Sequence, residues 1–445
     1  MQQLIVRNTF LSRAFSSARG RLPDTRALAR RLGPGLITGA ADDDPSGIAT
    51  YSQAGSQFRF GLVWTLLLTT PLMIGIQMLS ARIGWVTGEG LGANIAKICP
   101  RWVTLALVGL LVMANTINIA ADIGAMGEAV RLLAGGPGVL YVVGFGVLSI
   151  VCQVAFSYER TVRVLKWLTL GLFAYVAVIL SVSVPWRQVA IEGLAPWRFI
   201  PQGTAMNDYA SMVVAVLGTT ISPYLFFWQA AQEVEDNARR PRAADLREHP
   251  EYAAEHLSRI KQDTSFGMIF SNVIALCIVI ATGVTLNLHG VTNIQTSSQA
   301  AEALRPVAGE FAFAIFALGI IGTGLLAVPV LAGSAAYAVS EAFGWLSRGF
   351  HEARGFYAII IAATLIGTLM STMEVDPIKA LVWSAIVNGV ISVPIMVVMM
   401  WIGQSRRLMG RFTISLRHRF FGWAATAVMG VAVATLFFTS WRAGK

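Results

Sequence analysis

The sequence predicts an all-α membrane protein with about eleven transmembrane helices. Of its 445 residues, 55% are hydrophobic and 13% are charged, whereas soluble domains carry about 25% charged residues. The mean hydropathy is +0.62. Most apolar runs reach the roughly 20 residues that a membrane-spanning helix needs, and their unalternating pattern excludes barrel strands. This composition excludes a soluble enzyme, a disordered chain and a nucleic-acid-binding domain.

Residues 1–32 form a basic segment that precedes the first apolar run. This segment holds seven arginines and a single acid, Asp24. No continuous apolar stretch follows the first arginines, as it would in a secretory signal peptide. We therefore expect residues 1–32 to be a basic cytoplasmic tail, with a targeting peptide as the alternative.

Eleven apolar segments, numbered here as spans 1 to 11, follow the tail. They are predicted at residues 34–55, 61–81, 102–128, 138–156, 163–184, 208–231, 265–287, 308–339, 356–372, 378–402 and 421–439.

The basic residues orient these spans. Twenty-six of the 34 Lys and Arg residues lie in the tail and in every second loop. The other eight lie in the remaining loops and the C-terminal segment. Cytoplasmic loops carry such an excess, so we expect a multi-pass protein of the plasma (inner) membrane with its N-terminus in the cytoplasm and its C-terminus outside. The cytoplasmic loop at 232–264 is expected to be a solvated amphipathic helix.

Span 1 contains three consecutive carboxylates, Asp42, Asp43 and Asp44, followed by Pro45. One acid at the bilayer centre costs roughly 2.5–3.5 kcal/mol. Proline removes a backbone donor and disfavours helical geometry in the residue before it. We predict that the helix unwinds near Asp43–Gly47, which is tolerated only where the backbone lines a cavity.

The three carboxylates cannot all serve one ion, because successive helical residues point about 100° apart. Asp44 is the first candidate for an ion-binding residue and Asp43 the second. Asp42 is a candidate for a proton or ion path. The alternative is that Asp42 and Asp43 lie at the aqueous mouth of the span.

Span 6 carries a second interruption, in which Ser222 precedes Pro223. Proline alone is often only a kink, but interrupted helices at matching positions of two halves indicate a transporter's binding site. The two interrupted spans are five spans apart, and a repeat of an odd number of spans inverts the second repeat relative to the first. The predicted scheme is a transporter domain at 33–440, with repeat one at about 33–185, repeat two at about 208–402, and an extra helix at 421–439.

Span 3 has a polar face formed by Asn115, Asn118 and Asp122, which are three and four residues apart. Such a face looks inward in a membrane helix, toward a water-filled path or a partner helix. Both interpretations stay open. Asn388 in span 10 is a weaker candidate of the same kind.

At these residues the sequence resembles the Nramp family of divalent-metal transporters, over nearly all of residues 33–440. The resemblance implies the fold of the amino-acid/sodium symporters, with two inverted five-helix repeats and discontinuous helices 1 and 6. It is carried by Gly33-Pro34-Gly35, Asp44-Pro45, the stretches Ile48–Thr50 and Ser52–Phe58, Gln77–Gly84, and Thr87-Gly88.

The resemblance also suggests roles for individual residues. It places Asp44 as the metal-binding aspartate, with Thr219 and Ser222 flanking the site. The sequence departs from the family motifs at three positions. Gly47 stands where the family has Asn, Ser222 where it has Met, and Tyr224 where it has His. Asp122 matches an acid of the family's proton path, whereas the second acid is replaced by Ala125, with Glu128 one turn further along.

These departures favour hard cations, because a thioether is a soft ligand that favours transition metals, whereas Mg²⁺ prefers oxygen ligands and keeps several waters. The pattern resembles the Nramp-related magnesium-transporter branch. We expect import of Mg²⁺ and/or Mn²⁺ by alternating access, by a monomer in the lipid bilayer. The cation is the substrate, and no cofactor or nucleic acid is expected.

Three alternatives stay open. They are a proton-coupled Mn²⁺/Fe²⁺ transporter, a symporter of a small organic solute on the same fold, and a membrane metal sensor. An enzyme is not expected, because the chain has no HExxH or GxSxG motif.

Overall fold

The computed structural model describes residues 38–39, 41–155, 168–195, 206–238, 253–345, 350–373 and 376–443. Helices make up this described part of the chain, and it contains no strand. Nine of the described helices are long and apolar enough to cross a membrane. The basic tail predicted at 1–32 lies outside the described residues.

The helices follow the predicted spans. Span 2 is Val63–Thr87, span 3 is Arg101–Ala134, span 4 is Gly138–Ala155, span 6 is Met206–Thr220 with Pro223–Ala238, span 7 is Ala253–Thr285, span 8 is Ala312–Ala342, span 9 is Phe350–Ser371, span 10 is Pro377–Gln404 and span 11 is Leu416–Ala443. Shorter helices lie between them at Leu91–Ile98, Ser297–Ala301, Arg305–Ala308 and Arg406–Met409.

Spans 1 and 5 are interrupted. The described helix of span 1 is Pro45–Phe58, which follows a break at residues 43 and 44. Span 5 consists of a 3-10 turn at Leu168–Leu172 and the helix Phe173–Ser181. The chain then bends by 112° into the helix Trp186–Leu194. If the bent pair is counted as span 5, the described residues hold ten of the eleven predicted spans at membrane-crossing length, and the described helix of span 1 is shorter, at 14 residues.

The break in span 1 is narrower than the predicted unwinding near Asp43–Gly47. The helix already resumes at Pro45, and Asp44 caps it with an extended backbone (φ −73°, ψ 170°). Proline is favoured at the first position of a helix, where its missing N–H would have no partner in any case. Pro45 therefore starts the second half of span 1 and leaves only two residues unwound.

The amphipathic helix expected at 232–264 is helical at both described ends, but these ends are packed against each other and are not fully solvated. Span 6 continues to Ala238 and span 7 begins at Ala253, and Glu233 near the end of span 6 is fully buried. Arg259 from span 7 lies 3.1 Å from both Glu233 and Asp236. Since this cation offsets their charge, both helices can pack together where the sequence indicated solvent.

Small residues allow the broken spans to pack closely against their neighbours, as is common between membrane helices. Gly218 of span 6 lies against the backbone of span 10. A Cβ at Gly218 would be 2.5 Å from the backbone nitrogen of Gly389 and 2.7 Å from its Cα. Neither of those backbone atoms can move without moving the helix.

We expect Gly218→Ala to lower the melting temperature of the detergent-solubilised protein. The added methyl group overpacks the helix contact, which lowers the free energy of unfolding by about 1–3 kcal/mol. Gly144→Ala is the matched control, because a Cβ at Gly144 meets nothing within 4 Å. This control should be neutral or slightly stabilising, since alanine favours helix. Equal melting temperatures for the two variants would contradict the close packing of spans 6 and 10.

Candidate metal site

Asp44 lies at the break of span 1 and carries the central charge of the site. Its Oδ1 accepts a hydrogen bond from the backbone N–H of Gly47 at 2.7 Å, and its Oδ2 accepts one from Asn118 Nδ2 at 2.9 Å. The residue is 2% exposed. Asp44 forms no ion pair within the described part of the chain. The N-terminus of the helix Pro45–Phe58 offsets only part of the Asp44 charge. The remaining negative charge favours the binding of a cation.

The break of span 6 lies next to the break of span 1. The first half of span 6 ends at Thr220 and the second begins at Pro223. The Tyr224 hydroxyl is 3.2 Å from the Ala41 carbonyl oxygen and 3.5 Å from Asp44 Oδ2. The predicted convergence of the two interrupted spans is therefore present in the structure.

Gly47 leaves space beside the Asp44 carboxylate. A Cβ at Gly47 would be 3.1 Å from Thr219 Oγ1, 3.3 Å from Tyr51 Cε2 and 3.4 Å from Asp44 Oδ1. These distances place a hydroxyl group of span 6 and the carboxylate of span 1 around the same small volume. A side chain as large as asparagine would require its neighbours to move, so glycine keeps this volume open.

Ser222 lies in the break of span 6, but its hydroxyl group is directed to its own helix. It lies 2.8 Å from the carbonyl oxygen of Gly218 and 2.9 Å from that of Thr219, within reach to donate to either. Ser222 thus satisfies backbone groups that the break leaves without helical partners. The oxygen lone pairs of Ser222 are still free to accept a hydrogen bond from water.

Asp42 lies immediately before the break and Asp43 lies in it, and both are buried, at 0% and 2% exposure. The alternative that placed them at an aqueous mouth is therefore wrong. Ser271 Oγ of span 7 is 2.5 Å from Asp42 Oδ2 and 3.0 Å from Asp43 Oδ1. Since one hydroxyl group has one proton to donate, Ser271 cannot satisfy both carboxylates at once.

The polar face of span 3 has two functions. Asn115 Nδ2 donates to the Leu331 carbonyl oxygen and to Ser334 Oγ of span 8, each at 2.8 Å, so Asn115 joins two helices. Asn118 instead faces Asp44. Asp122 is fully buried, and no side chain among the described residues donates a hydrogen bond to its carboxylate oxygens.

Two other predicted residues lie apart from Asp44. Glu128 makes a two-pronged ion pair with Arg131, at 2.6 and 2.8 Å, near the end of span 3. Asn388 is buried in span 10, and the structure shows no hydrogen bond between it and the described residues around Asp44.

Several supporting residues were not found from the sequence. Gln77 of span 2 donates to the Leu225 carbonyl oxygen at 3.0 Å and to Gln229 Oε1 at 2.9 Å, which attaches the second half of span 6 to span 2. Ser384 of span 10 donates to Ser46 Oγ at 3.1 Å. Buried polar residues in apolar spans are the signal that could have found them.

The donor set around Asp44 consists of oxygen atoms. It comprises one carboxylate with the hydroxyl groups of Thr219 and Tyr224, and no group of three or more His, Cys, Asp or Glu side chains suited to a metal occurs in the described residues. One charged oxygen ligand with neutral ones suits a hard cation that keeps some of its water. The arrangement can hold such an ion between the two broken spans.

Comparison with known proteins gives a family match. The family model described as "Natural resistance-associated macrophage protein-like" (Nramp) matches residues 35–439. The divalent metal cation transporter MntH of Acidiphilium cryptum is 27% identical over 427 residues, covering 91% of this chain and 88% of the relative. MntH of Aeromonas hydrophila is 26% identical over 343 residues, covering 74% and 78%.

Solved structures share the fold. A manganese transporter of Eremococcus coleocola superposes with a TM-score of 0.67 at 16% identity, covering 93% of this chain and 88% of that one. MhsT in complex with L-phenylalanine gives 0.60 at 12% identity, covering 91% and 98%. Mhp1, a nucleobase-cation-symport-1 family transporter, gives 0.55 at 13%, covering 92% and 93%. At these identities the likenesses show the fold alone.

We expect Asp44→Asn to abolish Mn²⁺ binding while leaving the protein folded. Asparagine keeps an oxygen for the cap at Gly47 but removes the charge. The measurement is isothermal titration with the purified protein. Asp376→Asn is the matched control, because Asp376 also precedes a proline and caps a helix, accepting from Ile378 N at 3.0 Å. If Asp44→Asn bound Mn²⁺ with wild-type affinity, the metal site would have to lie elsewhere in the protein.

Proposed function

Because the chain belongs to the Nramp family, whose model matches residues 35–439, we propose that it imports divalent cations, Mg²⁺ and/or Mn²⁺, by alternating access. The observation that carries this proposal is the Asp44 carboxylate. It is buried between two broken helices and has no cationic partner among the described residues.

Energetics support a role for Asp44 in binding a mobile ion. A buried carboxylate without a cationic partner costs free energy, and a protein retains such a group where it serves a function. Asn118, Gly47 and Tyr224 supply hydrogen bonds that orient the carboxylate without neutralising it. A dication that enters this site supplies the missing charge, and it can leave again because most of its other contacts are neutral.

The choice of Mg²⁺ and Mn²⁺ rests on ligand type. None of the described residues that hydrogen-bond to Asp44 carries sulfur, and by the resemblance Ser222 takes the position of the family methionine. Oxygen ligands suit Mg²⁺ and Mn²⁺, whereas a thioether shifts a site toward softer metals. Gly47 adds room, which favours an ion that keeps part of its hydration shell.

We infer the direction of transport from the membrane potential, because a potential that is negative on the cytoplasmic side favours entry of cations. The membrane potential supplies about 2.3 kcal/mol per charge per 100 mV, so a dication gains about twice that on entry. Import then needs no second driving ion. Ala125, which replaces the second acid of span 3, supports transport without proton coupling.

The second candidate function is proton-coupled transport of Mn²⁺ or Fe²⁺. It is favoured by Asp122, which is buried on the same helix as Asn118 and receives no side-chain hydrogen bond from the described residues. The charge of such an acid depends on whether a cation occupies Asp44, one helix away, so Asp122 can hold a proton in one state of the transporter and release it in another.

Selectivity provides one test. We expect Ser222→Met to shift the preference between Cd²⁺ and Mg²⁺ toward Cd²⁺ by roughly tenfold, because it adds a soft ligand and fills space. The measurement is competition of each ion against transported Mn²⁺ in proteoliposomes. Ser392→Met is the matched control, since Ser392 likewise bonds a carbonyl group within its own helix, that of Gly389 at 2.8 Å. An unchanged preference in Ser222→Met would show that residue 222 does not line the site.

Coupling provides another test. We expect Mg²⁺ or Mn²⁺ uptake into proteoliposomes with a clamped membrane potential to leave the internal pH unchanged, because span 3 lacks its second acid. A pH-sensitive dye inside the vesicles gives the measurement, with Asp122→Asn as the comparison. Acidification that scales with metal flux and disappears in Asp122→Asn would establish the proton-coupled alternative.

A further inference from the structure

A lateral groove runs along spans 3 and 10, away from Asp44. It consists of two cavities of about 650 and 480 Å³, and Trp383 lines both of them. Span 3 contributes side chains three or four residues apart, which therefore share one helix face. They are Leu110, Met113, Ile117, Ala120, Gly124, Glu128 and Arg131.

The groove opens to the surface that faces lipid. Its rim carries large apolar side chains that are mostly exposed: Trp383 at 66%, Met373 at 62% and Val139 at 55%. The smaller cavity continues between spans 10 and 11 with a mainly apolar lining that includes Val387 and Phe437. Apolar walls of this kind suit an acyl chain, and the bilayer supplies one at high local concentration.

The larger cavity has a charged end. It lies where span 3 ends and span 10 begins, which is the depth of lipid headgroups. Glu128 and Arg131 form an ion pair at 2.6 Å, with the acid 21% and the base 53% exposed. Asp376 and Lys379 form a second pair at 3.6 Å, at 24% and 63%. Glu128, Arg131 and Asp376 line this cavity, and Asp376 holds the Lys379 ammonium group beside it, so the mouth offers charges of both signs.

We propose that this lateral groove binds a zwitterionic phospholipid, with its phosphoethanolamine headgroup at the charged end and an acyl chain along the apolar walls. The phosphate pairs with Arg131 or Lys379, and the ammonium group pairs with Glu128 or Asp376. An anionic headgroup fits this mouth less well, since it would bring a negative charge against both carboxylates without a cation of its own.

The lipid would also contact the helix that carries the metal site. Asn118, which holds Asp44, is on span 3, one residue from Ile117 in the groove wall. Ser371 at the groove also attaches span 9 to span 3, donating to the Ala120 carbonyl oxygen at 2.5 Å. A bound lipid is therefore placed to support span 3 against spans 9 and 10.

Native mass spectrometry of the full-length protein tests this proposal. The purified protein is given an equimolar mixture of phosphatidylethanolamine and phosphatidylglycerol with identical acyl chains. We expect one retained phosphatidylethanolamine, preferred about tenfold over phosphatidylglycerol. The double substitution Glu128→Gln with Arg131→Gln should remove this preference, because the mouth loses one of its two charged pairs.

A second variant acts on the groove itself. A Cβ at Gly124 meets only Ser371, at 3.8 Å or more, so Gly124→Leu fills the cavity without a backbone clash and should reduce retention of either lipid about tenfold. Gly109→Leu is its control on the same helix, since a Cβ there meets nothing within 4 Å. The control for the charge substitution is Glu302→Gln with Arg305→Gln. These two side chains also form an ion pair three residues apart in sequence, at 3.2 Å.

Three results would overturn the proposal. Equal retention of both lipids by the wild type and by the groove variants would show that the groove does not select a lipid. A dimer that Gly124→Leu converts to a monomer would make the groove an interface between copies. Loss of Mn²⁺ binding in the Glu128 and Arg131 double variant, with lipid retention unchanged, would make the mouth an ion entrance.

Discussion

The arrangement of the central helices depends on a buried negative charge at the break of span 1. Asp44 caps the helix that begins at Pro45, and this hydrogen bond to Gly47 holds its carboxylate at the helix N-terminus. The cap stabilises the charge only in part, because a helix dipole is equivalent to about half an elementary charge. The same residue therefore stabilises the fold and, in our proposal, provides the affinity for a dication.

Neighbouring spans hold both breaks in place through buried hydrogen bonds. Asn118 from span 3 and Ser271 from span 7 contact the carboxylates of span 1. Gln77 from span 2 and Ser384 from span 10 hold the half-helices beyond the breaks. A break within the membrane is stable only when other helices satisfy its polar groups, so these four residues stabilise the breaks on which the proposed site depends.

Much of this structure could be predicted from the sequence, because hydrophobic length and a proline beside acids are strong local signals. Nine or ten of the eleven spans and both breaks are confirmed in the described residues. The partner of Asp42 and Asp43 could not be predicted, since Ser271 is more than 200 residues away and one serine in an apolar span resembles many others. The burial of Glu233 was missed for a similar reason, because it depends on Arg259 from another helix.

The most direct measurement for the central claim is the position of the cation itself. Crystals of the protein soaked with Mn²⁺ give an anomalous-difference map that locates the metal independently of any substitution. The account predicts one principal peak between the breaks of spans 1 and 6, in direct contact with a carboxylate oxygen of Asp44. A principal peak away from Asp44, for example beside Glu128 at the lateral groove, would contradict it.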